Sequence, residues 1–194
     1  MNKINENKLN SKNVIKNSII IGISSLFLVG VLVYVNFFDN SVPNDNIQYG
    51  NQVGDNCVNQ EIQLINNEEG HFEINHQTGK VTVINFWGTW CTPCIEELPE
   101  FDELYKQYSD KVYVIAIHQA GFKEEKVNDF IQNRWPEFTI HFGLDSQDDP
   151  YFNKMGGLDV WPITTIVDKE GIIAFTHQGK ISGELLTQEV TSLF

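Results

Sequence analysis

The chain opens polar, turns apolar for about one membrane thickness, and then alternates short apolar runs with helical stripes. Residues 1–17 are polar and rich in Asn and Lys. From Ile19 to Val35 the chain is almost wholly apolar, broken only by Gly22, Ser24, Ser25 and Gly30, and Phe37 and Phe38 extend it past Asn36. Around 20 residues rising about 1.5 Å each cross a hydrocarbon core of about 30 Å. Residues 18–38 are therefore expected to form one transmembrane helix. The stretch is longer than the core of a cleavable signal and ends without a small-residue cleavage site, which points to an uncleaved anchor. Lys3, Lys8, Lys12 and Lys16 precede it, whereas Asp39 and Asp45 follow. That asymmetry puts residues 1–17 in the cytoplasm and the rest outside, anchored to the cell membrane by a single pass. Residues 39–53 are polar and turn-rich and read as a flexible linker.

The stretch 54–194 then reads as one domain, long enough for a sizeable core. Glu61–Ile65 and Phe72–Ile74 are expected strands around the turn composition of residues 66–70. The β-branched run from Val81 to Phe86 reads as a buried strand. Ile95, Leu98, Phe101, Leu104, Tyr105 and Tyr108 recur at helical spacing, so a helix is expected from residue 92 to about 108, kinked by Pro99. Val112–Ile117 reads as a strand, Glu124–Arg134 as a helix, Phe138–Phe142 as a strand and Pro150–Met155 as a short helix. Ile163–Val167 and Ile172–His177 read as a hairpin around Asp168-Lys169-Glu170-Gly171, with a closing helix over Leu185–Leu193. Strands alternating with helices imply a mixed, mostly parallel sheet covered on both faces.

Charge narrows the partners. The chain carries 26 acidic and 13 basic residues, a net charge of −13, which disfavours nucleic acid and anionic headgroups. Cysteine supplies the chemistry. Cys91 and Cys94 lie two residues apart where a strand hands over to a helix, the context in which Cys-x-x-Cys reads as a redox motif. Cys91 would sit just outside the helix N-terminus and Cys94 in its first turn. Unpaired amide N–H groups and the helix dipole there favour thiolate over thiol. The thiolate attacks a disulfide and its neighbour closes the ring. Pro93 fits the first turn, where a missing N–H costs nothing. Half a zinc site and a purely structural disulfide are the competing readings. Zinc wants four ligands, and Cys57 is the sole remaining cysteine. No metal or other cofactor is expected.

At this point the chain resembles the thioredoxin-fold superfamily, and within it the membrane-anchored TlpA/ResA-type thiol–disulfide oxidoreductases. The residues that carry the likeness are Asn85-Phe86-Trp87-Gly88-Thr89-Trp90-Cys91-Thr92-Pro93-Cys94, then Glu97-Leu98-Pro99, Trp161-Pro162-Ile163-Thr164-Thr165 and Asp168-Lys169-Glu170-Gly171. It spans about residues 53–194. It implies an α/β thioredoxin fold with an N-terminal hairpin and a central strand–helix insertion over 124–142. It implies that Cys91 is the attacking nucleophile and Cys94 the resolving thiol. Pro162 is similar to the family's cis-proline beside the dithiol. Trp161 would then pair its backbone with an extended client segment, and Trp90 and Pro93 would flank that groove. Where thioredoxin has a buried Asp, this chain has Asn85, which cannot relay protons. Glu97, three residues after Cys94 on the same helix face, is the expected proton acceptor. The resemblance further implies protein disulfide clients, with apocytochrome c haem-site cysteines or a partner enzyme among them, and a membrane electron donor of the CcdA type. A dithiol oxidase, and a non-enzymatic binding or metallochaperone module, are the alternatives from other functional classes.

Cys57 reads foremost as a small buried apolar residue, with capping of a mixed disulfide with a partner or regulation of the dithiol as the alternatives. His118 ends a strand at the sheet edge of the dithiol. It reads foremost as a polar loop residue, with modulation of the thiolate or metal binding as the alternatives.

Overall fold

The computed structural model describes residues 49–66, 70–74, 79–157 and 160–194. The expected cytoplasmic tail, the anchor over 18–38 and the start of the linker lie outside the described residues. Among the described residues no helix is long and apolar enough to cross a membrane. Strand pairing begins inside the stretch read as linker. A two-residue strand β1 (Tyr49–Gly50) pairs in parallel with β2 (Asn56–Cys57).

A seven-stranded sheet forms the centre. Its strands are β3 (Gln60–Leu64), β4 (His71–Ile74), β5 (Val81–Trp87), β6 (Val112–His118), β7 (His141–Leu144), β8 (Ile163–Val167) and β9 (Ile173–Gln178), in the order β4-β3-β7-β6-β5-β8-β9. The helices are α1 (Thr92–Tyr108), α2 (Glu124–Arg134), the single turn α3 (Tyr151–Lys154) and α4 (Gly183–Thr191). This is the mixed sheet with flanking helices that the resemblance implies, but it is not mostly parallel. Only β5–β6 and β6–β7 run parallel, whereas β3–β4, β3–β7, β5–β8 and β8–β9 are antiparallel. Hairpins close the sheet on both sides, and a hairpin reverses direction by construction.

Every residue of β5 is buried, which is why its sequence is a continuous apolar run rather than an alternation. Its side chains divide by parity. Val81, Val83 and Trp87 pack with Leu98, Phe101 and Leu104 of α1, Ile131 of α2 and Leu186 of α4. Ile84 and Phe86 face the second core with Ile62, Ile115, Tyr151 and Ile173. Asn85 shares the α1 face with Val83 and Trp87.

Two boundaries differ from the sequence reading. The strand expected over Phe138–Phe142 begins only at His141. The buried carboxylate of Asp102, on α1, accepts hydrogen bonds from the Thr139 and Ile140 amides, so those donors serve a helix side chain instead of a strand ladder. The closing helix starts at Gly183 rather than at Leu185, because Ser182 accepts from Leu185 N and caps it ahead of the first apolar residue.

Candidate active site

The site forms where β5 ends and α1 begins. Cys91 is the N-cap of α1 and Cys94 lies in its first turn; Cys91 Sγ accepts from Cys94 N at 3.3 Å, and the two sulfurs form a disulfide. Cys91 is 4% exposed and Cys94 0%. An incoming sulfur therefore meets Cys91 first, with the helix N-terminus behind it to stabilise a thiolate. Pro93 sits exposed in the first helical turn.

The antiparallel register completes the site. Phe86, near the end of β5, lies opposite Ile163 at the start of β8. That pairing carries Trp161 and Pro162 to the dithiol end of the sheet, and the Trp161–Pro162 peptide is cis. Trp90 and Trp161 meet edge to face, with ring centroids 5.6 Å apart, and Phe152 stacks on Trp161 at 4.4 Å. Trp90 is 52% exposed and is steered by a hydrogen bond from Nε1 to Gln119 Oε1 at 2.9 Å. Its indole folds back over Gly88, where a Cβ would stand 2.6 Å from Nε1. The result is an apolar wall beside the disulfide on a strongly acidic protein.

Behind the dithiol, Glu97 is fully buried. Its Oε1 accepts from Asn85 Nδ2 at 2.7 Å and its Oε2 from the Ile181 amide at 2.9 Å. Burial pushes its carboxyl up to about 7, against the two hydrogen bonds and the nearby Lys180, which pull it down. A buried acid titrating near neutrality, one helical turn from Cys94, is suited to take and return a proton there.

His118 is buried and is not a loop residue. It pairs in register with Trp87, its Nε2 accepts from Thr89 N at 3.1 Å, and its Nδ1 donates to Gln119 O at 2.9 Å. That bond set requires the neutral tautomer with the proton on Nδ1. Burial lowers its pKa. The neutral imidazole thus holds the turn that presents Trp90 and Cys91. His118→Leu is expected to cost about 1–3 kcal/mol of stability by orphaning Thr89 N–H. Because the folded value lies below the unfolded 6.5, the contribution is present above about pH 6.5 and lost as pH falls through the folded value. Urea melts of both proteins at pH 8 and pH 5 check this. Equal wild-type and variant midpoints at pH 8 would mean the turn needs no histidine.

Cys57 is buried, as expected of a small apolar residue, with Sγ 3.2 Å from the Tyr151 hydroxyl. Burial pushes its thiol up to about 11, which leaves it inert as a nucleophile. No cluster of metal-ligating side chains occurs among the described residues. The sequence reading missed Thr164, Gln119 and Phe152. Thr164 lies opposite Asn85 in the β5–β8 register; it belongs to a stretch that carries the likeness, but nothing in the sequence pairs it with Asn85. Gln119 and Phe152 act through contacts across loops, which no local pattern marks.

A family model described as Redoxin matches residues 43–192. The thioredoxin-like protein YneN of Bacillus subtilis is 29% identical over 171 residues, covering 87% of this chain and 94% of that protein. The thiol-disulfide oxidoreductase ResA of Oceanobacillus iheyensis is 28% identical over 182 residues, covering 92% of this chain and 91% of that protein. Among solved structures, StoA from Bacillus subtilis matches with a TM-score of 0.56 at 26% identity, over 68% of this chain and 97% of that one. The pneumococcal exposed lipoprotein thioredoxin of Streptococcus pneumoniae shares the fold, with a TM-score of 0.58 at 22% identity over 70% of this chain and all of that one.

Proposed function

This chain belongs to the Redoxin family, as a ResA-like thiol–disulfide oxidoreductase of thioredoxin fold, and from that premise we propose that it reduces protein disulfides outside the cytoplasm while tethered to the membrane by residues 18–38. The observation that carries the chemistry is the Cys91–Cys94 disulfide at the N-cap of α1 with buried Glu97 one turn behind it. In the reducing cycle Cys91 thiolate attacks a client disulfide and releases one client thiol. Cys94 then loses its proton to Glu97 and attacks Cys91 Sγ, which releases the second client thiol and restores the protein disulfide. The client strand lies along the Trp161 backbone, with Trp90 and Pro93 at its sides.

Apocytochrome c haem-site cysteines, or a partner enzyme, are clients of matching chemistry. Electrons for re-reduction must cross the membrane, so the donor is a membrane protein of the CcdA type. Support for the tether comes from the apolar run and from the lysine asymmetry around it.

A redox titration of the full chain in detergent tests the direction. A reductase is expected to have a midpoint nearer about −270 mV than about −120 mV, and a value above about −150 mV would make it an oxidase. Fractionation tests the tether. The chain is expected in the membrane pellet with its C-terminus open to protease from outside; recovery as soluble protein with a new N-terminus near residue 40 would show cleavage.

A further inference from the structure

Both carboxylate oxygens of Glu97 face N–H donors, Asn85 Nδ2 at 2.7 Å and Ile181 N at 2.9 Å. That set suits the ionised form. The protonated form carries an O–H and needs an acceptor where the carboxylate needed a donor. The Ile181 N–H cannot accept. Asn85 can, because its amide offers a donor on one side and an acceptor on the other. Its Oδ1 is buried and has no partner among the described residues, so turning the amide breaks no bond at that end. Thr164 Oγ1, 3.3 Å from Asn85 Nδ2, follows the turn, since a hydroxyl accepts from Nδ2 or donates to Oδ1 equally well. Glu97 and Thr164 are thus both served in either orientation, and each orientation leaves one end of the amide unpartnered.

We infer that Asn85 is a positioning residue whose side-chain amide makes a half-turn as Glu97 gains or loses its proton, donating through Nδ2 to the carboxylate and accepting through Oδ1 from the acid. This deepens the proton-acceptor role proposed for Glu97 and rests on it. In the step served, the Cys94 S–H bond breaks and an O–H bond forms on Glu97. The sulfur's electron pair goes to Cys91 Sγ, and the client sulfur leaves as thiolate. No bond of Asn85 changes. A fixed donor at this position would hold Glu97 ionised and oppose the transfer; an amide that inverts opposes neither form. The charges around Glu97 are Lys180, which favours the carboxylate, and Glu96 and Glu100, which act on Lys180 in turn. From the sheet side Asn85 and Thr164 are neutral, and on its own helix Cys94 is held in the disulfide and does not titrate in the oxidised protein.

The experiment is nuclear magnetic resonance of the full chain in detergent, oxidised, across pH 5–9. It follows the Asn85 side-chain amide together with the Glu97 carboxyl carbon. The Asn85 signals are expected to move with the same midpoint as Glu97. In Glu97→Gln, whose amide N–H stands in for the acid O–H, they are expected to stay at their low-pH positions throughout. Asn85→Asp keeps the shape but adds a like charge. It is expected to raise the Glu97 midpoint by at least ~1 pH unit and to move the acid limb of the exchange profile with it. Asn85 signals that ignore the Glu97 titration would overturn the inference, as would an unmoved midpoint in Asn85→Asp. Wild-type exchange in Glu97→Gln, with Asn85 still tracking Glu97 in the parent, would remove the catalytic role of Glu97 and leave the amide turn supported.

Discussion

Cys94→Ser is expected to accumulate covalent complexes with client proteins through Cys91, while Cys91→Ser accumulates none and loses exchange to the uncatalysed level. The asymmetry follows from burial and from the helix. Cys91 is the slightly exposed sulfur at the N-cap, and Cys94 is sealed beneath it. Exchange proceeds through a mixed disulfide, so removing the resolving thiol stalls the cycle after the first attack, whereas removing the nucleophile prevents it from starting. The measurement is non-reducing electrophoresis of each variant after alkylation, with mass spectrometry of the trapped partners. Comparable trapping by both variants would exchange the roles or abolish the distinction. The partners recovered would also identify the client.

Glu97→Gln is expected to slow resolution of the mixed disulfide by roughly 10–100-fold. In the proposed cycle the active form of Glu97 is the carboxylate, and burial raises its pKa to about 7. The rate should therefore fall as pH drops through about 7, and the variant should lack that limb. Stopped-flow exchange with a model disulfide across pH 5–9 reads both effects, and superimposable profiles would remove Glu97 from the mechanism. Stability should move the other way. The folded pKa lies above the ordinary 4.5, so the folded chain holds this proton more tightly than the unfolded one. Its favourable contribution is complete below about pH 4.5 and is lost as pH rises through about 7. Glu97→Gln, which never ionises, should then be the more stable protein at pH 8, by up to about 3 kcal/mol, and equal to wild type near pH 4.5. Denaturant melts at those two pH values check the sign. A slower yet more stable variant is the signature of a buried charge kept for chemistry.

Much of this was legible in residue order because the signals were local. Val81–Trp87 reads as a buried strand since both of its faces are covered, and α1 spans Thr92–Tyr108, where the helical stripe put it. The Cys-x-x-Cys spacing at their junction already placed one sulfur at a helix N-cap. Errors arose where a distant side chain intervened. Asp102 took the amides of Thr139 and Ile140 and so delayed β7, and the hairpins at the sheet's edges made antiparallel pairs outnumber parallel ones.

What the order of residues determined by itself is the reacting pair, its strand–helix setting and the acidic character of the chain, because spacing, periodicity and charge are properties of neighbours along the backbone. Only the tertiary structure decided which groups surround that pair. Pro162 lies at the dithiol end of the sheet because β8 runs antiparallel to β5, and Thr164 meets Asn85 by the same register. His118 became the brace of the Trp90 turn through its pairing beside Trp87, and Glu97 acquired a near-neutral pKa only when burial took it out of water, against the hydrogen bonds from Asn85 and Ile181. Desolvation and hydrogen-bond partners depend on distance through space, and that distance is set by strand register and helix packing, which a linear pattern does not contain.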